Sequence, residues 1–342
     1  MRRTLAHAGV LLIAAAACSD ARAQATEFIL DETSPGADPW SVAQVAPPGS
    51  DAAELAEARR LIAENRPDRA KALLDDWIER NAGTGSPHLA EAYLLRGDAL
   101  LADKREYQAL YDYETVIKDF PASNEFITAV AREYDIGAAY LGGLKRKIFG
   151  LRIERSDIVG EELLIRAQER VPGSELAERS AITLADYYYD KRDLELAQEM
   201  YAIFVNNFPD SVHRRRAALR QIFCAIARFK GPDYDASTLI DARLLILDYR
   251  ARYPGEAQAA GITEALLNRI DESAAQQMLR TAQWYLKQGN EPSARFTMLR
   301  LLRKHPASTA SRTAVDIMDQ RGWLEPREDP TPPAQADTGA ES

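Results

Sequence analysis

The chain has 342 residues, 46% of them hydrophobic and 28% charged, with a formal net charge of −9. That is enough apolar material for a large folded body, and the acidic balance argues against the basic footprint of a nucleic-acid binder. With only two cysteines, at 18 and 224, a disulfide framework is excluded, and stability has to come from packing.

Residues 1–17 read as a signal peptide. Arg2 and Arg3 form a basic start, and Leu5–Ala17 is an apolar run too short to span a membrane as a mature helix. Removing the segment takes away two positive charges and leaves a net of −11. Two processing sites compete. Ala15-Ala16-Ala17-Cys18 resembles a bacterial lipobox and makes Cys18 a candidate lipidation site and membrane anchor; Ser19 after it is compatible with the outer membrane. Ala21-Arg22-Ala23 is an ordinary signal-peptidase site, and its use would give a soluble periplasmic protein. Residues 18–50 are rich in Pro, Ala, Asp and Ser and are expected to form a flexible tether with a mean reach of roughly 30 Å.

From residue 51 to 323 the chain carries one recurring punctuation. A small residue precedes a proline by twelve positions in Ala109/Pro121, Gly160/Pro172, Ala197/Pro209, Ala242/Pro254 and Ala294/Pro306, with Ala70/Ala82 as a degenerate first copy. Ungapped units of 34 residues follow: 51–84, 90–123, 178–211 and 275–308. Position 8 is Ala58, Gly97, Ala185 and Ala282, and position 20 is Ala70, Ala109, Ala197 and Ala294. Two antiparallel helices approach closely only where side chains are small. Large residues fill the space beside that crossing, at position 11 (Leu61, Leu100, Tyr188, Tyr285) and position 24 (Leu74, Tyr113, Tyr201, Met298). The proline ends the second helix, and Ser123, Ser174, Ser211 and Ser308 stand ready to cap the next one. This is the tetratricopeptide (TPR) pattern. The expected fold is all-α, a TPR-type superhelix of about six hairpins plus a closing helix over Ala310–Arg321.

Two units are stretched. An insertion at 142–160 separates the expected helices Glu125–Leu141 and Glu161–Arg170, and Lys230–Asp235 separates Arg214–Phe229 from Leu239–Arg252. The first insertion is basic and partly apolar, so Lys145, Arg146, Lys147, Phe149 and Arg152 are candidates for contact with a membrane or partner. Residues 324–342, rich in Pro, Ala and acid, are expected to be disordered.

No chemistry announces itself. His88, His213 and His305 sit at separate repeat junctions, and no Gly-x-Ser-x-Gly, P-loop or His-Glu-x-x-His spacing occurs. Asp233-Tyr234-Asp235 reads as a turn before a cap at Ser237 or Thr238, and Cys224 as a small buried hydrophobe. Neither a cofactor nor a metal is expected, and the chain reads as a non-enzyme. A solenoid of hairpins binds along one face. The first helix of each hairpin supplies the candidate peptide groove: Arg59, Leu94, Asp98, Ile182, Asp186, Tyr189, Leu279 and Gln283.

The C-terminal part resembles the BamD (YfiO/ComL) family of outer-membrane assembly lipoproteins. The likeness is carried by Phe208-Pro209-Asp210-Ser211, by Ala225–Asp235, by Ala242 with Tyr253-Pro254, and by Ala282–Gly289 followed by Ala294, His305-Pro306 and the closing helix. It covers 178–322 well and 51–177 loosely. It implies a TPR scaffold that binds unfolded outer-membrane proteins and a BamA-like barrel insertase during β-barrel assembly. The sixth hairpin, the long tether and the tail depart from the family. A second reading is a periplasmic TPR coordinator of envelope or peptidoglycan machinery, of the CpoB/YbgF type. That type carries an N-terminal coiled coil, and no sustained heptads precede residue 51.

Overall fold

The computed structural model describes residues 28–30, 40–42, 47–235 and 237–324. The signal segment, Cys18 and residues 325–342 lie outside the described residues. Six hairpins are stacked in chain order: α1 (Asp51–Ala63) with α2 (Pro67–Asn81), α3 (Leu89–Ala102) with α4 (Glu106–Asp119), α5 (Phe126–Leu141) with α6 (Asp157–Arg170), α7 (Glu175–Asp190) with α8 (Leu194–Asn207), α9 (Arg214–Ala227) with α10 (Ser237–Arg252), and, after the short α11 (Pro254–Ala259), α12 (Glu264–Lys287) with α13 (Glu291–Lys304). A closing helix, α14 (Thr309–Gln320), packs on α12 and α13. Each helix from α2 to α11 contacts the one before it, as do α13 and α14, and α1, α5 and α10 also touch the first helix of the hairpin that follows. The all-α, TPR-type stack expected from the repeats is the fold observed.

Each repeat position does mechanical work. The position-8 and position-20 residues are all buried, and Ala58, Ala70, Ala109, Ala185, Ala197, Ala282 and Ala294 have no exposed surface at all. The crossings leave no room for more. A Cβ on Gly97 would stand 2.5 Å from the Tyr113 ring, and one on Gly160 would stand 2.8 Å from the carbonyl oxygen of Gly137. Leu74, Tyr113, Tyr201 and Met298 fill the space beside them and are fully buried. At position 15 the chain turns through the left-handed region in all four units, at Asn65 (φ 58°), Lys104 (φ 59°), Arg192 (φ 64°) and Gly289 (φ 72°). This one residue reverses the chain between the helices of a hairpin.

Five helices end two residues before a proline. Phe120, Val171, Phe208, Tyr253 and His305 all leave the helix with φ between −133° and −124°, because the following pyrrolidine ring excludes the helical region. The capping serines divide. Ser174 and Ser308 accept from the backbone N–H three residues on and cap α7 and α14. Ser123 and Ser211 do not cap, because an extra turn delays α5 to Phe126 and α9 to Arg214. Ser211 instead donates to Glu178 (2.6 Å).

Two antiparallel strand pairs depart from the helical plan. β1 (Phe28–Leu30) and β2 (Trp40–Val42) pair within the segment read as a flexible tether. β3 (Arg146–Ile148) and β4 (Leu151–Glu154) pair within the first insertion, which is a hairpin rather than a plain loop. α12 also starts earlier than its repeat unit. Leu267, Ile270 and Ala274 join the buried cluster around α9 and α10, while Ala275, Ala282 and Met298 belong to the last cluster. One long helix therefore spans two cores.

Polar staples lock neighbouring hairpins at a spacing of 34 residues. The Tyr113 hydroxyl donates to Asp98 (2.8 Å), and Arg132 on α5 reaches the same carboxylate (2.8 Å). The Tyr201 hydroxyl donates to Asp186 (2.6 Å), and Arg220 on α9 reaches it too (2.6 Å), with Arg216 beside it (2.8 Å). A third staple joins α4, α5 and α6: Arg170 contacts Glu114 (2.5 Å) and the buried Glu133. Burial pushes Glu133 up to about 8 despite Arg170, and the charge of Glu114 adds to the effect. Glu114 is less enclosed. Burial opposes its ionisation, but hydrogen bonds from Lys118 and Arg170 outweigh that and hold it at about 2.

Three outcomes follow. Gly160→Ala forces a methyl group against the Gly137 carbonyl, and it should lower stability by about 1–3 kcal/mol in a denaturant titration. Asp186→Ala leaves the buried Tyr201 hydroxyl without its acceptor and two guanidinium groups without their carboxylate. It should cost about 1–3 kcal/mol, and Tyr201→Phe about 1 kcal/mol. Arg170→Gln takes away the cation that Glu114 and Glu133 share, a loss of about 1–3 kcal/mol at neutral pH. The folded carboxyl of Glu133 titrates above its unfolded value, so its contribution is present at acid pH and lost as pH rises through about 8. Without Arg170 that loss deepens, so the thermal midpoint of the variant should fall as pH rises from acid to neutral.

Candidate interaction surface

The candidate groove of first-helix side chains is largely consumed by the stack itself. Asp98 and Asp186 are the central acceptors of the 34-residue staples. Arg59 is half exposed but ion-paired to Glu91 across the α1–α3 contact. Ile182 is buried, which leaves it nothing to offer a ligand. Leu94 and Leu279 pack partly against buried clusters, and Tyr189 lies under the Arg220 guanidinium at 4.9 Å. Gln283 is half-buried on α12. The structure does not gather these residues into one site; it distributes them along successive hairpin junctions.

The apolar surface that remains open lies elsewhere. Of nineteen large hydrophobic residues exposed among the described residues, ten are on the second helices of hairpins: Tyr111, Ile158, Ile165, Leu196, Ile203, Ile240, Leu244, Leu247, Phe296 and Leu299. Three of these, Ile240, Leu244 and Leu247, follow one another at helical spacing along α10 and form a continuous stripe. The stripe runs between two clefts. At one end Ile240 borders a cleft of about 660 Å³ between α10, α12 and α13, lined also by Met278, Tyr285, Phe296, Arg300 and Lys304. At the other end Leu247 borders a shallower one of about 630 Å³ beside α11, with Arg250, Pro254 and Ile262. Apolar walls with a cationic rim suit a partner segment with apolar anchors and acidic flanks. Sequence reasoning missed this stripe, although the i, i+4, i+7 spacing of Ile240, Leu244 and Leu247 was there to be found.

The insertion residues fall on both sides of the β3–β4 hairpin. Arg146 stacks on the Tyr107 ring at 3.5 Å and pairs with Glu154 (3.4 Å). Arg152 reaches Glu106 (2.5 Å) and donates to the Lys145 carbonyl (2.8 Å). These two arginines bind the hairpin to α4. Lys145 and Lys147 form no ion pair among the described residues, and Phe149 is fully exposed at the tip.

The remaining candidates for chemistry stay apart. His88 precedes α3, near Glu91 (3.6 Å); His213 precedes α9; His305 follows α13, where burial lowers its pKa. Cys224 is fully buried, and burial pushes its thiol up to about 11. α10 begins at Ser237, whose backbone N–H donates to Asp235 (3.3 Å). Among the described residues no group of three or more His, Cys, Asp or Glu could hold a metal ion, and no helix is long and apolar enough to cross a membrane.

Comparison with known proteins returns to the segment that holds the stripe. The crystal structure of the C-terminal part of a TPR repeat-containing protein from Cytophaga hutchinsonii is 12% identical, covering 79% of this chain and 89% of that one, with a TM-score of 0.38. The TPR-like repeats of a putative kinesin light chain from Podosopora anserina are 17% identical over 58% of this chain and 92% of that one, with a TM-score of 0.33. No curated protein matches the chain. The model of the YfiO family, described as outer membrane lipoprotein, matches residues 161–322. The match runs from α6 to the closing helix and takes in the residues that carried the resemblance to that family.

Proposed function

We propose that this protein is a non-catalytic scaffold on the periplasmic face of the outer membrane, anchored through a lipid on Cys18, that serves β-barrel assembly. The C-terminal surface of α10, α12 and α13 docks a periplasmic domain of a BamA-like insertase. Unfolded outer-membrane proteins engage the more N-terminal hairpins, where the second-helix side chains Tyr111 and Ile203 present apolar contacts between charged ones.

The observation that carries this reading is the stripe Ile240, Leu244 and Leu247 with the cleft beside it, inside the family-matched segment. An exposed apolar strip rimmed by Arg300 and Lys304 is costly to leave in water, and a docked partner removes that cost. The interior supports a binding role rather than a reaction. Its strongly shifted carboxyl groups, Glu133 and Glu114, are tied to Arg170 inside the stack rather than set in a cleft.

A photoactivatable residue at Ile240 or Phe296 tests the docking surface. In the native envelope it should cross-link the barrel insertase, and Leu244→Glu should reduce recovery of the insertase with the purified protein by about tenfold or more. Because Leu244 is exposed, the folded stack survives that substitution. Cross-links that contain no barrel protein or insertase would overturn the proposal. Mass spectrometry of the mature N-terminus tests the anchor: a diacylglyceryl group on Cys18 is expected, and a free N-terminus at Gln24 contradicts it.

A further inference from the structure

The β3–β4 hairpin lies outside the family-matched segment, and partner docking at the C-terminal surface does not account for it. Its turn is Phe149-Gly150, flanked by the Ile148–Leu151 pair. Both turn residues are left-handed, with φ 49° at Phe149 and 82° at Gly150. Such two-residue turns favour Asn or Asp before the glycine, whereas a bulky aromatic side chain is disfavoured there. Phe149 gains nothing inside the fold in exchange, for its relative exposure is 101%. A residue that is unfavourable in its backbone conformation and buried against nothing points to a contact outside the molecule.

The rest of the hairpin defines that contact. Strand alternation places Leu151 and Ile153 on the face opposite Arg152, and they are 65% and 59% exposed. Arg152 faces inward and holds the hairpin to Glu106. Around this apolar tip the charge reverses sign. Between residues 145 and 155 there are five basic residues and one acidic one, in a chain of net charge −9. Lys145 is exposed, and Lys147 is half-buried across the ladder from Arg152; both are free of ion pairs among the described residues, and their long side chains can reach anionic groups at the edge of the tip. A projecting tip of three apolar side chains does not offer the roughly 800 Å² per partner that a stable protein interface buries. It does suit a lipid interface, where aromatic and aliphatic groups enter the acyl boundary and lysines meet the headgroups.

We infer that the β3–β4 hairpin is a membrane-contact element: Phe149, Leu151 and Ile153 insert into the interfacial layer of an anionic phospholipid surface, and Lys145 and Lys147 bind its phosphates. The inference rests on the membrane-side location proposed above. It adds a second attachment point that fixes how the stack stands on the bilayer, which a flexible N-terminal anchor does not.

The test uses the full chain reconstituted into vesicles, with Leu151→Cys carrying an environment-sensitive fluorophore. Cys224 is buried and stays unlabelled, and the Cys18 thiol is blocked by its lipid or lost with cleavage after Ala23. In phosphatidylethanolamine–phosphatidylglycerol vesicles the emission should shift to the blue and be quenched by spin-labelled lipid, whereas the same probe on the exposed Val212→Cys should stay in water. Phe149→Asn should cut the inserted fraction by about tenfold while leaving the melting temperature no lower than the parent's. Lys145→Glu with Lys147→Glu should abolish the response to phosphatidylglycerol. A Leu151 probe as wet as the Val212 probe would overturn the inference. So would an equal response in neutral phosphatidylcholine, or a shift that appears only on adding envelope proteins. No insertase is present in this measurement, so its outcome is independent of the cross-linking at Ile240 and Phe296.

Discussion

The stack depends on helices crossing where neither side chain is larger than a methyl group. Ala58, Ala70, Ala109, Ala185, Ala197, Ala282 and Ala294 are fully buried at those crossings, and at Gly97 and Gly160 even a Cβ would collide with the facing helix. Close approach at these points brings the large residues beside them into full contact. Tyr113, Tyr201 and Met298 can then fill the hairpin interior without voids, which is how a chain with no disulfide in its folded body is held together. The proline after five of the six second helices and the left-handed residue within the four ungapped hairpins set the length of the rods, so the crossing recurs at a fixed place.

Small residues join the two helices of a hairpin; polar staples help join one hairpin to the next. Asp98 with Tyr113 and Arg132, and Asp186 with Tyr201 and Arg220, repeat one arrangement at one spacing. A half-buried carboxylate that accepts from a buried tyrosine and a neighbouring arginine is geometrically demanding, so it fixes register as well as adding stability. The same geometry removes these carboxylates from the pool of ligand-binding groups. What is left for partners is the outside of the second helices, above all α10 and α13, where apolar side chains are exposed beside cationic ones.

Two surfaces thus stand apart from the self-contacts of the fold. The C-terminal stripe and cleft lie on long helices, and α12 ties their two cores into one body. The β3–β4 hairpin is instead an insertion between α5 and α6, anchored by Arg146 and Arg152 on one side and bare on the other. A rigid docking face and a projecting tip suit different partners: the face can bury a broad contact, whereas the tip can enter only a soft one.

The repeats could be read from residues alone because their rules are local. The size of a side chain at positions 8 and 20, a proline at the end of a second helix and a polar turn at position 15 act within one hairpin, and the structure confirms each at Ala109, Pro121 and Lys104. The resemblance over the C-terminal part rested on the same local signals. Sequence alone could not tell a ligand-facing carboxylate from a staple, because Asp186 meets Arg220 only when α9 stacks against α7 and α8. Nor could it show that α12 runs back to Glu264, that the insertion pairs as strands, or that Ile182 is buried while Ile240 and Leu244 are exposed. Amino-acid identity determined where most of the second helices end and where small residues let a rod touch its own partner. Only tertiary packing decided which faces remained for other molecules, because burial depends on neighbours that are distant in the chain.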